Sequence, residues 1–465
     1  MINHGIKNKH CAAFIVTLLI SSTIYTVPFI YVADEQDTVT VIDGTTNEIV
    51  TAISVPPLTV TSTPTPFCIA IAPNGTTACA GVNQFDSNTS TYASTIALIN
   101  ASLSVPILTK TATLIASSPN SIRTTCVAYT TDSNTVYVGV STGTSPSLIF
   151  PVTNVAGSPT VGASIPIPDA TSSPTDIAIA NTSNGETAYF ITDAADMYYM
   201  QIPGNTPVAL NTTGITSNLL ASLVIAPDAQ TAYAIGPDFD SGNGLIYTID
   251  TSTNIITNLL SPITIPGETS PSGITTDGTY LYVTGAGTRN LYIIPINNPG
   301  AITTISLSAI GQPNCLTITP NGKSVYIAYK AGDVNSYPVP AGSPAGETIS
   351  TVGSIASNSI ASFSQSTHPP ASVSGCKTQN TFLLQTDFIN HITWTAPASG
   401  LTPVKYKLYR DAALMQPLAT IPATGSLEYY DHDRKPNLTY SYYIVSIDAS
   451  GSRSTPISIT VTQNC

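Results

Sequence analysis

The chain has 465 residues and a formal net charge of −12, and only 9% of its residues are charged. Residues 31–365 contain 20 acids and 5 bases, and a body of this charge repels phosphate backbones, which argues against nucleic-acid binding. The composition is rich in Thr, Ser, Asn and Pro, and no long stretch has a helical hydrophobic period. These features indicate an all-β protein.

The N-terminus has the pattern of a secretory signal. Lys7 and Lys9 precede an apolar run from Ala12 to Ile20, and small residues follow at 21–23. Residues 1–26 are therefore predicted to be a signal peptide, with export to the periplasm, the cell surface or the medium. A retained membrane anchor is the alternative, because no charge occurs between Lys9 and Asp34, and a bilayer span needs about 20 apolar residues.

A repeated pattern begins at Tyr31 with YVADEQDTVTVIDGTTNEIV, in which short strands alternate with polar turns. Six later phrases have the form strand, tight turn, strand, and a third and usually a fourth strand follow each of them. These phrases begin at Pro66, Pro119, Pro174, Leu219, Pro271 and Pro313. Four antiparallel strands that recur roughly every 40–55 residues are typical of β-propeller blades.

The six phrases predict six complete blades, whereas the stretch at Tyr31 lacks an innermost strand. NSIASFSQ, residues 358–365, can supply that strand by pairing with YVAD. The prediction is a seven-bladed β-propeller over residues 27–365, closed by both chain ends so that no sheet edge stays open. An open β-array is the alternative.

These residues carry a family resemblance. YVADEQDTVTVIDGTTNEIVTAISV, together with PxxIAIAPNG and TVYV phrases, resembles the YVTN-type β-propeller repeats of exported and surface-layer proteins. The resemblance implies a seven-bladed propeller at a cell surface or in a periplasm. It implies no single activity, because propellers host both binding and catalysis.

A second domain is predicted after a linker at residues 366–375. In residues 376–465 the strands NHITWTAP, VKYKLYRD and YYIVSIDASG resemble a fibronectin type III module, a small β-sandwich in which Trp394 would be a core residue. Such modules mostly act as spacers or docking domains.

Three cysteines occupy one repeat position, at the start of the innermost strand near the central channel. They are Cys68, Cys126 and Cys315, and the equivalent residues elsewhere are Asp176, Ser222 and Gly273. A small residue filling crowded space is the favoured interpretation. Disulfides from Cys68 to Cys126 or to Cys79 stay open, if the Cα atoms lie within about 7 Å. Cys376 and Cys465 bracket the last module and are a further possible disulfide, although the ends of such a sandwich lie at opposite poles, which weakens that pairing.

Acidic residues are predicted to gather on one rim, where the loops between second and third strands open beside the innermost strands. They are Asp34, Asp37, Asp86, Asp176, Asp193, Asp196, Asp238, Asp240 and Asp333, with Asn243 beside them. Oxygen ligands of this kind suit Ca²⁺, although the 238–243 loop lacks the Glu of a calcium-binding loop. The favoured explanation is that Asp and Asn form turns. A cationic ligand or a basic partner surface is another.

Residues 27–365 contain no histidine, which argues against a His-ligated metal or a Ser-His-Asp triad there. The resulting hypothesis is an exported, non-catalytic interaction protein that binds a protein or surface-glycan partner through the propeller rim. The alternatives are a lactonase-like hydrolase or a lyase that uses Asp176, Asp193, Asp238 and Asp240, and a structural surface-layer component.

Overall fold

The computed structural model describes residues 29–465 except 35–36, 45, 102, 104, 144–145, 170–171, 218, 308–310, 320–321, 323, 340–346, 351–356, 364–369, 383–384, 398–402, 412–413, 415, 448–453, 455 and 463. The residues within these bounds form 37 strands joined by turns and contain no helix, which agrees with the all-β prediction. Consequently no helix in this part of the chain could cross a membrane. The predicted signal peptide at 1–26 lies outside the described residues.

The strands of the first region run as follows in chain order. The first twelve are β1 (Phe29–Asp34), β2 (Thr38–Asp43), β3 (Ile49–Ser54), β4 (Ser62–Ile71), β5 (Thr77–Asp86), β6 (Thr91–Asn100), β7 (Ile107–Ser118), β8 (Arg123–Tyr129), β9 (Thr135–Ser141), β10 (Leu148–Thr153), β11 (Thr160–Val161) and β12 (Ile165–Pro166). The next nine are β13 (Pro174–Thr182), β14 (Gly185–Thr192), β15 (Met197–Gln201), β16 (Val208–Ala209), β17 (Ser222–Ile225), β18 (Thr231–Asp238), β19 (Asn243–Asp250), β20 (Ile255–Ile256) and β21 (Ile263–Ile265). The last nine are β22 (Pro271–Thr276), β23 (Tyr280–Gly285), β24 (Asn290–Pro295), β25 (Thr303–Ser306), β26 (Pro313–Ile318), β27 (Ser324–Tyr329), β28 (Asp333–Pro338), β29 (Glu347–Ser350) and β30 (Ser357–Phe363).

These strands form seven antiparallel sheets. Sheet 1 has the order β3-β2-β1-β30, sheet 2 β4-β5-β6-β7, sheet 3 β8-β9-β10-β11, sheet 4 β13-β14-β15-β16, sheet 5 β17-β18-β19-β20, sheet 6 β22-β23-β24-β25 and sheet 7 β26-β27-β28-β29. Sheets 3 and 5 each gain a short fifth strand, because β12 pairs with β10 and β21 pairs with β19. All but one of the sheets follow chain order, as repeated hairpins require.

Sheet 1 is the exception, since it joins the two ends of the region. Strand β30 pairs antiparallel with β1, with Tyr31 opposite Ala361 and Val32 opposite Ile360. The predicted pairing of NSIASFSQ with YVAD is therefore observed. The edge of β1 that would otherwise be open is covered by this pairing.

One edge strand of each sheet, which we call its first strand and which is β30 in sheet 1, contacts the first strands of the two neighbouring sheets. The contacts run from β30 to β4, β8, β13, β17, β22 and β26 in turn, and from β26 back to β30. Each pair of successive sheets encloses its own apolar core, and a further core between sheets 7 and 1 includes Ile30, Tyr326 and Ile360. Second strands contribute to two cores at once, because alternate side chains point to opposite faces. Thus Tyr233 and Ile235 of β18 face sheet 6, whereas Ala232 and Ala234 face sheet 4.

In three pairs of neighbouring sheets, a Tyr of one sheet is hydrogen-bonded to an Asn of the other. In each, a buried Tyr on a second strand donates its hydroxyl to an Asn in the turn before the fourth strand of the next sheet. The pairs are Tyr137–Asn205 at 2.7 Å, Tyr326–Asn47 at 2.6 Å, and Tyr189–Asn254. Each of the three Asn residues has a φ between 53° and 59°, a left-handed conformation in which Asn is favoured. Asn47, the Asn of the DGTTN phrase, therefore both adopts the left-handed turn conformation and connects two sheets.

Sheet 2 is longer than the others. Its strands have 10, 10, 10 and 12 residues, whereas β8, β22 and β26 have 7, 6 and 6. The extra length lies at the start of β4, where residues 62–66 pair with residues 82–86 of β5. Sheet 2 therefore extends beyond the point at which the other first strands begin.

The C-terminal region has two further sheets. Its strands are β31 (Ser372–Phe382), β32 (Gln385–Thr395), β33 (Lys405–Tyr409), β34 (Pro417–Pro422), β35 (Glu428–Asp431), β36 (Tyr440–Ile447) and β37 (Ile457–Val461). The sheet orders are β31-β32-β35 and β34-β33-β36-β37, and side chains of both sheets share one core around Trp394. Strand β31 begins inside the range 366–375 that was predicted as a linker.

The possible Cys376–Cys465 pair, although disfavoured by the position of the module ends, is formed as a disulfide with Cα atoms 4.9 Å apart. Cys376 lies within β31 rather than at its end, and the tail after β37 returns alongside β31. Asn464 bridges to Lys377, and the Cys465 amide donates to the Lys377 carbonyl at 3.0 Å. The argument from opposite poles failed because β37 stops halfway along β31.

Candidate ligand-binding site

A β-bulge near the start of the first strands creates the site. In sheets 2, 3, 4, 6 and 7 the ladder between first and second strands skips one residue at the same repeat position. A bulge redirects the skipped residue away from the ladder. The skipped residues are Phe67, Thr125, Thr175, Ser272 and Asn314, and all five line one cavity of about 470 Å³, which we call the channel cavity.

After two of the bulges, the next residue is a cysteine that lines the cavity and also belongs to a core between sheets. Cys68 belongs to the core between sheets 2 and 3, and Cys126 to the core between sheets 3 and 4. Their sulfurs therefore fill separate cores, and both remain free thiols, as do Cys79 and Cys315. The open disulfides Cys68–Cys126 and Cys68–Cys79 are thus not formed.

The cross-strand partners explain why cysteine fits at this position. Cys68 lies opposite Gly81 and Cys126 opposite Gly139, whereas Asp176 lies opposite Ile191. A Cβ on Gly139 would lie 2.4 Å from the Cys126 sulfur, and one on Gly81 would lie 2.5 Å from the Cys68 sulfur. Each sulfur therefore occupies the volume that its glycine leaves, which supports the space-filling interpretation of these cysteines.

These thiols are held in the protonated form. Burial, followed by the negative charge of Asp176, raises the pKa of Cys126 to about 12 and that of Cys315 to about 12. Burial also raises the pKa of Cys68. Since the thiolate is the nucleophile and the metal ligand, the thiols around the channel cavity are poorly suited to either role.

Asp176 is half-buried and joins sheet 4 to sheet 5 at the wall of the channel cavity. One carboxylate oxygen accepts from the Leu223 amide at 2.8 Å and the Ser222 hydroxyl at 3.0 Å, and the other from the Ile177 amide at 2.9 Å. Desolvation outweighs these bonds and raises the pKa of Asp176 to about 6.

Two further charged side chains line the same cavity. Asp193 is exposed and accepts from the Ser173 amide at 2.7 Å. Arg123, at the start of β8, is exposed, and none of the salt bridges between described residues involves it. The channel cavity therefore contains a cation that has no ion-pair partner among the described residues, in a region that is acidic overall.

A second cavity of about 250 Å³, the side groove, adjoins the first against the extension of sheet 2. Phe67 and Arg123 line both cavities, while Phe85 and Tyr92 line the groove alone. The rings of Phe85 and Tyr92 lie 4.9 Å apart, and Phe85 is 37% exposed. Aromatic faces beside a guanidinium can hold a planar or apolar ligand that bears an anion.

The amides in the side groove already have partners. The Asn83 side-chain oxygen accepts from the Thr124 amide at 2.6 Å, and that of Gln84 accepts from the Leu58 amide at 2.6 Å. These hydrogen bonds fix the shape of the groove, and Arg123 is the charged side chain that lines it.

Two of the predicted rim acids form local turns. Asp86 accepts from the hydroxyls of Thr59 and Thr61, both at 2.8 Å, and Asp238 accepts from the Ser241 hydroxyl at 2.7 Å. Hydrogen bonds lower the pKa of both carboxylates. Turn donors thus satisfy these oxygens, which supports turn formation over Ca²⁺ binding.

The remaining nominees are scattered. Asp34 is buried and accepts from the Thr40 hydroxyl at 2.7 Å, while burial, followed by the charge of Asp169, raises the pKa of Asp196. Asn243 accepts from the Gly267 amide at 2.9 Å. Asp37 and Asp240 are exposed, and Asp333 is half-buried at the start of β28. Of the ten nominated residues, only Asp176 and Asp193 line the channel cavity.

Sequence reasoning missed Arg123, the bulge residues and Glu268. Glu268 is fully buried and accepts from the Ser270 amide at 2.8 Å and the Gly287 amide at 3.2 Å. Gly285 leaves room for this carboxylate, since a Cβ there would overlap it. The two glycines of TGAG could have indicated that another group approaches the backbone closely there. Arg123, by contrast, is in a stretch with the ordinary pattern of a strand start.

Comparisons with known proteins address the fold alone. No family model matches the chain, and no curated protein does. A solved structure of the Dos1 propeller matches with a TM-score of 0.50 and 12% identity, over 71% of this chain and 88% of that one. A Lactobacillus plantarum protein (TM-score 0.49, 17% identity, 72% of this chain and 99% of that one) and a chain of a nidogen/laminin complex (0.45, 14%, 72% and 97%) match with lower TM-scores. The all-β fold of this chain is therefore similar to that of a β-propeller.

Proposed function

We propose that this protein is an exported, non-catalytic binding protein in which the channel cavity and the side groove together recognise an anionic ligand. Sheets 1 to 7 would be the blades of a seven-bladed propeller of the YVTN type. The cycle of first-strand contacts and the pairing of β30 with β1 support this architecture. Residues 376–465 would be a fibronectin type III-like sandwich that spaces or docks the propeller, which the common core around Trp394 supports.

The observation that carries the proposal is the position of Arg123. Arg123 lines both cavities, makes none of the salt bridges between described residues, and shares the side groove with Phe85 and Tyr92. A guanidinium presents planar donors that match a carboxylate, and a flat ring of the ligand would pack against Phe85 and Tyr92. The ligand class is therefore a carboxylate beside a ring, as in an acidic sugar of a surface glycan or in adjacent acidic and aromatic side chains of a protein.

Binding is favoured over catalysis for a chemical reason. The four acids of the enzyme hypothesis separate into two pairs. Asp176 and Asp193 line the channel cavity. Asp238 instead accepts from the Asp240 amide in a turn, and neither of these two lines the cavity. The thiols beside the cavity are protonated. A general base paired with a nucleophile is thus not assembled by the nominated residues.

Binding can be tested with benzoate and glucuronate as probes, and with benzamide and glucose as their uncharged counterparts. Ligand-observed NMR of the full chain should show saturation transfer to the carboxylates and little to the neutral compounds. Arg123→Ala should abolish the difference, whereas Lys110→Ala, which removes an exposed cation of β7 away from the cavities, should preserve it. Equal binding to wild type and Arg123→Ala, or no binding of either carboxylate, would overturn the proposal.

A further inference from the structure

We propose that Cys376, Cys465 and His391 form a zinc site when the disulfide between the two cysteines is reduced. A sulfur of each cysteine and a ring nitrogen of His391 all lie within 4.8 Å of one another. Two thiolates and an imidazole are a common zinc ligand set, which leaves a fourth position for water. The site is separate from the channel cavity and does not depend on the proposed function.

The sheet register brings these side chains together. Cys376 and His391 are direct cross-strand neighbours on β31 and β32, so both side chains project from the same face. The tail then places Cys465 beside them, through its amide bond to the Lys377 carbonyl. Cys465 is exposed and lies in this tail, so its sulfur can move away from that of Cys376 once the covalent bond is broken.

His391 is already oriented for a metal. Its Nε2 lies 2.9 Å from a Glu428 carboxylate oxygen, and its ring stacks on Tyr430 with centroids 4.2 Å apart and an interplanar angle of 3°. A carboxylate on one ring nitrogen fixes the imidazole and makes the other nitrogen a better ligand. Nδ1 is then the nitrogen that would bind zinc.

A small thiol can reduce the Cys376–Cys465 disulfide. Two equivalents of a small thiol convert the disulfide into two cysteine thiols and are themselves oxidised to one disulfide. Zinc binding then releases the two cysteine protons, because the thiolate is the ligand. Disulfide and zinc are mutually exclusive at this site, and zinc should therefore slow the return of the disulfide.

The experiment compares the full chain with and without prior reduction by a phosphine that is then removed without air. Zinc content by elemental analysis should rise by one ion per chain in the reduced wild type relative to reduced Cys376→Ser/Cys465→Ser. The oxidised protein should bind no zinc at this site. The four free cysteines of the first region are retained in every variant, so their contribution cancels.

Two variants test whether His391 and Glu428 contribute to zinc binding, as the proposed site requires. His391→Gln should lower the zinc affinity of the reduced protein at least 100-fold, and Glu428→Gln should lower it by about 10–100-fold. His432→Gln is the matched control, since His432 also contacts a carboxylate, that of Asp387 at 2.6 Å, but is not part of the sulfur cluster. Fluorescence of Trp394, the single tryptophan, verifies that each variant keeps its folded module. No extra zinc in the reduced wild type, or unchanged affinity in His391→Gln, would overturn the proposal.

Discussion

Residues 29–363 and residues 370–465 differ in the interactions that join their sheets. Between the sheets of the first region lie apolar cores, and three pairs of sheets are also joined by Tyr–Asn hydrogen bonds. All four salt bridges between described residues, and the disulfide, belong to the second region. A small module buries a smaller share of its surface than a large one, so cross-links and buried ion pairs matter more to its stability.

The two regions also differ in the hydrogen-bond donors that surround a buried or half-buried carboxylate. In the module, Asp431 is buried against Arg410, which donates to both carboxylate oxygens at 2.8 and 3.0 Å. In the first region, Asp176 accepts only from uncharged donors, and its pKa is raised. The same residue type thus has a cationic partner in one region and only neutral donors in the other.

The largest effect is expected for Asp431→Ala. This change would leave the guanidinium of Arg410 without its partner and would remove the acceptor of the Tyr442 hydroxyl, which lies at 2.7 Å. Arg410 is partly exposed, so the loss comes chiefly from the charge-assisted hydrogen bonds to Asp431, which contribute about 1.5–3 kcal/mol each. Urea unfolding followed by Trp394 fluorescence measures this loss in the module itself. Asp433→Asn, which removes an exposed charge nearby and keeps a residue type favoured at its φ of 57°, is the control and should change the unfolding free energy little. Equal losses in both variants would show that the buried network does not stabilise the module.

The next effect concerns the pH dependence of the first region. Because its pKa is raised in the folded state, protonation of Asp176 contributes stability that is fully present below about pH 4 and is lost as the pH rises through about 6. Relative to Asp176→Asn, the wild type should therefore lose unfolding free energy over this range, by about 3 kcal/mol in all for a shift of about two units. Urea unfolding of both proteins between pH 3.5 and 7.5 gives the difference. A difference that stays constant with pH would contradict the raised pKa.

The sequence predicted the repeat but not the interior of the site, for a physical reason. Turn phrases and alternating apolar residues report local conformation, so the strands around Tyr31 and the partner strand at 358–365 could be predicted. The acidic rim followed from loop positions alone, and local hydrogen bonds at Asp86 and Asp238 determine where those carboxylates point. The bulge that turns Phe67 and Thr125 into the channel cavity leaves no distinctive residue type in the sequence, so these lining residues could not be nominated.

A smaller effect tests the packing of Cys126 against Gly139. Gly139→Ala should cost about 1–3 kcal/mol, because its Cβ would overlap the Cys126 sulfur and the core cannot expand freely. Cys126→Ala in the same chain should recover part of this loss, so that the double variant is more stable than the sum of the single changes predicts. Calorimetry of the three variants measures the coupling. Strict additivity would mean that the sulfur does not fill the space above Gly139.

The smallest effect addresses how the first region closes. Tyr326→Phe removes the hydroxyl that bonds to Asn47 across sheets 7 and 1, and Tyr137→Phe removes its counterpart between sheets 3 and 4. A hydrogen bond of this kind contributes about 1 kcal/mol. If the contact that joins the chain ends is equivalent to the contacts along the chain, both variants should lose a similar amount of unfolding free energy. A Tyr326→Phe variant as stable as the wild type, beside a destabilised Tyr137→Phe variant, would mean that sheets 7 and 1 separate before the rest of the region unfolds. Hydrogen exchange at the β1–β30 ladder distinguishes the two cases, because an early separation exposes the amides of β30 while those of β8 stay protected.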